Sequence, residues 1–335
     1  MADYGNIGKY KRIKLRGGGY FGEVFEVHDR ALDVKKAIKV IKAGDLDSLR
    51  DVLNEPRLLE RCKHKHVVEV KEADISIVDG SRAVVIAMEL LKCSAQDSLE
   101  SSFITIREAI NITCQALFGL EHLHQSGVLH CDIKPANLLI SDDNIVKISD
   151  FGLAVPLQKH EAPESIYRPH VAPECLNSND WSEQSDVYAM GLTFYRLINN
   201  LPHLELPPDL YDQIRTGKFP DRNSYEPHVP EQIAKIANKA LNVECEKRYG
   251  VASDFRKALE RQRIAIDWLP VDERCWEGED AGHSHRIEIN REGLFWKVEY
   301  HKDGRCKRAL SRKLYDTREE AEDYLYSIIR KSSLR

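Results

Sequence analysis

No Cys-x-x-Cys pair occurs in the 335 residues, so the eight cysteines do not form the common zinc or redox spacings. They lie scattered at positions 62, 93, 114, 131, 175, 245, 275 and 306 and read as reduced thiols of a cytosolic protein. Long apolar runs are missing too. The longest, Ala83 to Leu91, is far too short to span a bilayer and reads as a buried strand. The start, Met1-Ala2-Asp3-Tyr4-Gly5, has neither the basic residues nor the apolar stretch of a secretory signal, so a cytoplasmic location and no membrane partner are expected. Positive charge is not in excess. Lys and Arg number 49 against 54 Asp and Glu, a net charge of -5, which argues against a globally basic protein that coats nucleic acid. Internal repeats and low-complexity segments are absent.

What is present is ample core material, 42% hydrophobic residues, in a length suited to two or three domains. Lys11 to Leu15, Glu23 to His28 and Lys36 to Ile41 read as strands, with glycines between the first two. Leu46 to Cys62 has helical spacing, and strands follow near Val67 to Glu72 and Ala83 to Met88. Helical patterns then dominate: Ile110 to His124, Ser185 to Asn199, Gln232 to Leu241 and Ala252 to Arg261. The expected architecture is α+β, with a strand-rich lobe over residues 1–91 and a helix-rich lobe over 92–265. Residues 266–282 lose periodicity and read as a linker. Beyond it, His285 to Asn290, Leu294 to His301 and Arg305 to Leu310 read as strands, with a hairpin signal at Asp303-Gly304. A capping box at Thr317-Arg318-Glu319-Glu320 opens a helix, so 283–335 reads as a small three-stranded domain with one helix.

The chemistry-bearing residues come in a definite order. Gly17-Gly18-Gly19-Tyr20-Phe21-Gly22-Glu23-Val24 lies between two predicted strands, where glycines let backbone N–H groups approach phosphate oxygens. A plain glycine-rich hairpin is the alternative. A strand rather than a helix follows, which argues for a flap over phosphates and against a dinucleotide-binding turn. Lys39, in Ala37-Ile38-Lys39, lies on a predicted strand seventeen residues past Gly22, and Glu55 lies sixteen residues further on, at a distance that suits an ion pair. Then comes His130-Cys131-Asp132-Ile133-Lys134-Pro135-Ala136-Asn137, followed by Asp150-Phe151-Gly152. An aspartate can accept the proton of an attacking hydroxyl while a lysine two residues on neutralises a transferred phosphoryl group. Asn137 and Asp150 offer the hard oxygens that Mg²⁺ requires.

This set resembles the protein kinase superfamily over roughly residues 8 to 265. The Asp-x-Lys-Pro-x-x-Asn order is similar to that of eukaryotic-type serine/threonine kinases, with Cys131 where many members carry arginine. The resemblance implies a bilobal fold with an antiparallel-sheet N-lobe and a helical C-lobe. It also implies ATP and Mg²⁺ as cofactors and transfer of the γ-phosphate to Ser or Thr of protein substrates, with autophosphorylation as a further expectation. By the same resemblance Asp132 and Lys134 are catalytic, and Asn137 and Asp150 hold metal. ATP would be contacted by Gly17, Gly19, Phe21, Gly22, Val24, Ala37, Lys39, Glu55, Met88, Glu89 and Leu91, with Met88 behind the adenine and Glu89 to Leu91 as hinge. Asp186 matches the aspartate that anchors the catalytic loop, and Ala172-Pro173-Glu174 the end of the activation segment.

Several positions depart from the family. Cys131 removes the usual clamp for an activation-loop phosphate; it reads as a small buried filler, with a redox role as the alternative. Pro56 kinks the helix carrying Glu55 or places its start late. Arg16 replaces an apolar residue that roofs the adenine, leaving Leu15 or Val24 to cover it. Ile166-Tyr167 stands where serine/threonine kinases have Gly-Thr. In the tail, Lys302, Arg305, Lys307, Arg308, Arg312 and Lys313 form a basic run, read as the face of a domain that docks a protein partner, with nucleic acid as the alternative. Trp296 and Tyr300 read as core. The competing function is a pseudokinase or docking scaffold that binds nucleotide and a partner without catalysis; a small-molecule phosphotransferase is the third.

Overall fold

The computed structural model describes residues 6–19, 22–42, 52–156, 168–178, 180–311 and 313–335. The chain divides into two compact units, 1–97 with 115–189 and 98–114 with 190–335.

The first unit opens with β1 (Asn6–Ile7), β2 (Tyr10–Gly19), β3 (Gly22–Asp29), β4 (Val34–Lys42), β5 (Val70–Val78) and β6 (Ser81–Met88), an antiparallel sheet of order β1-β2-β3-β4-β6-β5. Alternation sends successive side chains to opposite faces. Phe25, Val27, Ile38, Val40, Val85 and Ala87 pack on one face, while Ala37, Val84, Ile86 and Met88 pack on the other. The helix after β4, α1 (Asn54–Arg61), starts late, with Glu55 and Pro56 in its first turn. Proline fits there because its missing N–H would be unpaired anyway. Most of the earlier part of the predicted helix, 46–51, lies outside the described residues. Strand β5 runs further than the predicted 67–72 and is mostly exposed, as an edge strand with polar alternation allows.

Short strands follow: β7 (Cys93–Ser94), β8 (Val128–Leu129), β9 (Leu138–Ile140), β10 (Val146–Ile148) and β11 (Val155–Pro156). β9 pairs with β7 and β10, and β8 with β11. The segment 130–137 is thereby held between β8 and β9, and 149–154 between β10 and β11.

The helices are α2 (Ala95–Ser101), α3 (Ile106–Gln125), α4 (Pro173–Ser178), α5 (Glu183–Ile198), α6 (Leu210–Thr216), α7 (Glu231–Ala240) and α8 (Ala252–Glu260). The predicted helices near 110, 185, 232 and 252 all form.

The tail corrects two expectations. Residues 266–282 are not a linker: they form β12 (Asp267–Asp272) and β13 (Cys275–Asp280), paired from Asp267↔Glu279 to Asp272↔Cys275. The sheet continues through β14 (His283–Glu292), β15 (Phe295–Lys302) and the two-residue strands β16 (Arg305–Cys306) and β17 (Leu314–Tyr315), so it has six strands rather than three. α9 (Arg318–Ser333) covers one face, burying Trp268, Trp276, Ile287, Ile289, Val298 and Tyr300 with Leu325, Ile328 and Ile329. This apolar layer supplies the tail's stabilisation, at about 1.5–3 kcal/mol for each large side chain buried. The tail is also seated on the rest of its unit. Asp267 accepts from Thr105 Oγ1 at 2.9 Å and from Arg107 N at 3.2 Å, and the Trp276 ring meets Phe103 edge-on at 5.5 Å.

Candidate active site

The glycine run forms the closing end of the β2–β3 hairpin, in register Gly17↔Val24, Gly18↔Glu23 and Gly19↔Gly22. Phe21 lies outside the described residues. Gly22 has φ 109°, and a Cβ there would sit 2.3 Å from Val40 O. Only glycine takes that backbone without pushing the strands apart. Below the hairpin, Val24, Leu91 and Leu139 pack around Ala37 and Met88. Ala37 is the register partner of Met88, which places both on the same face. Glu89 turns away from this slot: its Oε1 accepts from Lys147 Nζ at 2.6 Å and from Glu69 N at 2.8 Å.

Lys39 is buried on β4 and its ammonium donates to both Glu55 oxygens at 2.8 Å and to Asp150 Oδ1 at 2.7 Å. The late start of α1, with Pro56 in its first turn, thus still leaves Glu55 within reach of Lys39. Burial works against the Lys39 ammonium, but Glu55 and Asp150 outweigh it and hold its pKa above the ordinary lysine value. Burial pushes the Glu55 carboxyl up against the pull of Lys39. Asp150 goes the other way: burial is overcome by Lys39, with help from His130 and Lys134, and its pKa is held below the usual aspartate value. Two carboxylates share one ammonium, an arrangement that favours an added cation.

The loop 130–137 is fixed from beneath by Asp186, which accepts from His130 N and Cys131 N at 2.9 Å each and lies 2.9 Å from His124 Nε2. Burial would raise the Asp186 pKa; His124 and then His130 reverse that and keep it low. Asp132 Oδ2 accepts from Lys134 Nζ at 2.7 Å and from Asn137 Nδ2 at 2.9 Å. Its Oδ1 accepts no hydrogen bond among the described residues, and neither do Asn137 Oδ1 and Asp150 Oδ2. Ser149 donates its N–H and its hydroxyl to Asn137 O, tying the two oxygen donors to adjoining backbone. The site therefore offers one unshared aspartate oxygen, one lysine beside it and two oxygen donors for a hard cation.

Cys131 is buried with φ 64°, and burial, then Asp186, pushes its thiol well above the ordinary value. That is the filler reading rather than the redox one, since the thiolate is the reactive form. Leu15 does not cover the slot. It is the register partner of Phe25 and so faces the other side of the sheet, leaving Val24 of the two alternatives. Ser165, Ile166 and Tyr167 lie outside the described residues.

Three contributors escaped the sequence reading. Leu139 was legible in principle, because alternation on β9 buries Leu138 and Ile140 and leaves 139 facing the slot. His124, 62 residues from its partner Asp186, gave no local signal. His130 stacks edge-on against Phe151 at 5.2 Å and its Nε2 lies 3.0 Å from Ser149 O, joining the two loops.

The chain matches the protein kinase domain family over residues 10–261. Serine/threonine-protein kinase STK11 of Homo sapiens is 31% identical over 209 residues, 58% of this chain and 48% of that protein. The Xenopus laevis protein of that name is 30% identical over 251 residues, 70% of this chain and 56% of its own length. Calcium/calmodulin-dependent protein kinase type 1 of Macrobrachium nipponense is 27% identical over 308 residues, 88% of this chain and 84% of that protein. The chain spans about half the length of the STK11 proteins it matches. The match over residues 10–261 covers well over half of this sequence, and the chain belongs to the protein kinase family.

Proposed function

We propose that the chain is an ATP- and Mg²⁺-dependent serine/threonine protein kinase, with residues 1–91 and 92–265 as its two lobes. The observation that carries this reading is the half-engaged Asp132: Oδ2 is locked by Lys134 and Asn137 while Oδ1 stays open. An open carboxylate oxygen can take the proton of a Ser or Thr hydroxyl as it attacks phosphorus. Lys134, paired with the same carboxylate, would neutralise the phosphoryl oxygens in flight. Lys39, steadied by Glu55, is suited to the α- and β-phosphates, and Gly17, Gly19 and Gly22 to close backbone approach above them. Val24, Ala37, Met88 and Leu91 would hold the base, with the 89–91 backbone as hinge.

Asn137 Oδ1 and Asp150 Oδ2 fit Mg²⁺ because both are hard, unshared oxygens beside an excess of negative charge. When bound, the ion draws charge from the phosphate oxygens. The buried Cys131 supports activity without a phosphate on the activation segment, since no arginine stands there to receive one. The tail is proposed to dock a protein partner through its basic run. No helix among the described residues is long and apolar enough to cross a membrane, and none of the eight cysteines forms a disulfide. Both facts support the proposed cytoplasmic setting.

The test is incubation of the purified chain with γ-labelled ATP, Mg²⁺ and a generic protein substrate, followed by mapping of labelled residues. Label on Ser or Thr is expected, on the substrate and on the chain itself. Tight nucleotide binding without transfer would favour the scaffold reading.

A further inference from the structure

Where the resemblance implies an apolar residue over the base beside Val24, this chain carries Arg16 in a charged assembly. Arg16 falls at a register break in β2: Leu15 pairs with Phe25 and Gly17 with Val24, so Arg16 is an extra residue. Such a bulge re-aims its side chain. Here the guanidinium turns to Glu26, with Nε 3.0 Å and Nη2 2.8 Å from Glu26 Oε2. Lys35 Nζ holds the other oxygen, Oε1, at 2.9 Å. Register partners share a face, and Glu26 is the partner of Ala37, itself the partner of Met88. The Arg16–Glu26 pair therefore lies on the face of the sheet that carries Val24, Ala37 and Met88. The Glu26 side chain is 8% exposed and the Arg16 side chain 35%. The carboxylate is the buried anchor, and the guanidinium is the more exposed part of the pair. With its Nε–Nη2 edge fixed, the guanidinium can offer its flat face, which stacks well on an aromatic ring.

We propose that Arg16 is a specificity-determining residue that closes the nucleotide slot from above by laying its guanidinium plane on the base, with Glu26 as its positioning residue. The inference rests on the nucleotide-binding reading above and adds how the base is gripped. A roof of this kind distinguishes itself from an apolar one by geometry. Lysine keeps the charge and loses the plane, whereas leucine loses the charge and restores an apolar cover.

The experiment measures affinities of the full chain for ATP with Mg²⁺ and for adenosine alone, by competition against a fluorescent ATP analogue. Thermal melts confirm that each variant is folded. Arg16→Ala should weaken adenosine and ATP by the same factor, about threefold to thirtyfold. Arg16→Lys should remain weak, and Arg16→Leu should recover most of the loss. Glu26→Ala should weaken adenosine in the presence of Arg16 and have no effect in the Arg16→Leu background. Unchanged adenosine affinity in Arg16→Ala overturns the proposal. So does a loss confined to ATP, which would place Arg16 on the phosphates, or an Arg16→Lys variant as tight as the parent. If the parent chain binds neither ligand, the nucleotide reading itself fails, a result distinct from any of these.

Discussion

Around Lys39 the protein buries charge; in the sheet that ends the chain it buries rings and keeps charge outside. Lys39, Glu55, Asp132 and Asp186 are all buried, each with its partner within hydrogen-bond distance. The tail buries Trp268, Trp276 and Tyr300. Its outer face carries Arg286 between Glu277 and Glu288, and Lys297 between Glu292 and Glu299. The two designs constrain the sequence differently. A buried ion cluster fixes residue type, because a lost partner leaves an uncompensated charge. An apolar core fixes volume and pattern but accepts many residues of about the right size. Substitutions should accordingly cost chemistry, with some stability, in the first region and stability alone in the second.

The strongest expected contrast is between Asp132→Ala and Trp276→Ala. The first should slow phosphoryl transfer by about 10²–10⁴-fold, the usual contribution of a positioned proton acceptor, with a smaller loss of stability than in the second, because the Lys134 left behind is 23% exposed and reaches water. Single-turnover kinetics and urea melts measure the two sides, and full activity in the variant would remove Asp132 from its role. Trp276 touches the rings of Phe103, His228 and Tyr326. Its truncation should cost about 3–5 kcal/mol of stability. The rate per folded molecule should hold. A selective loss of turnover there would mean that the tail serves the reaction and not only the fold.

The same contrast explains what the sequence discloses. The roles proposed for Gly17, Gly19, Gly22, Asp132, Lys134, Asn137 and Asp150 rest on residue types at fixed spacing, which a sequence displays directly. Strands β12 and β13 could not be read that way. Pro270 lies beside a register shift in β12, and in β13 apolar Trp276 is followed by Glu277, Gly278, Glu279 and Asp280. Alternation is lost in that composition, and Gly278 mimics a breaker. In the structure it is a close approach: a Cβ at Gly278 would stand 2.6 Å from Ile266 Cγ2. Residues 307–310 read as strand for the converse reason, since the run instead folds beside the edge of β15, with Lys307 N donating to Tyr300 O. The Arg16–Glu26 contact depends on a bulge, which no periodicity reveals.

Acid should separate the regions next. His228 is buried between Phe103 and Trp276 with Nε2 3.1 Å from Ile198 O. Burial, partly opposed by that hydrogen bond, lowers its pKa from 6.5 to about 4. The unfolded chain takes up the proton first, so stability falls as pH drops from about 6.5 towards about 4, by at most about 3 kcal/mol. Asp186 acts in the same sense but in a lower window. Its depressed pKa gives stability that is complete above the unfolded value of 3.8 and is lost only as pH falls further, through the folded value. Denaturation midpoints between pH 7 and 4 should therefore fall less steeply for His228→Gln than for the parent. Part of the slope should persist, because burial also lowers the pKa of His64, His66 and His285. Identical slopes would show that His228 does not titrate in this range.

The smallest expected effect is at the N-terminus of α9. Thr317 Oγ1 accepts from Glu320 N at 3.2 Å, and Glu320 Oε2 accepts in return from Asp316 N at 3.2 Å. The reciprocal bond reaches the residue before the cap rather than the cap itself, a small departure from the usual box. Two N–H groups at the start of the helix are satisfied this way, and Glu319 and Glu320 place negative charge at the positive end of its dipole. Thr317→Ala removes the first bond and should cost about 1 kcal/mol. α9 closes the tail core with Leu325, Ile328 and Ile329, so the cost should appear as a lower thermal midpoint for the tail. Thr317→Asp should recover it, because a carboxylate caps equally well. Neither variant should alter the KM for ATP or the turnover per folded molecule, since every residue assigned to the reaction lies at or before position 150. A change in turnover from so mild a loosening would be the most sensitive sign that the two regions are coupled.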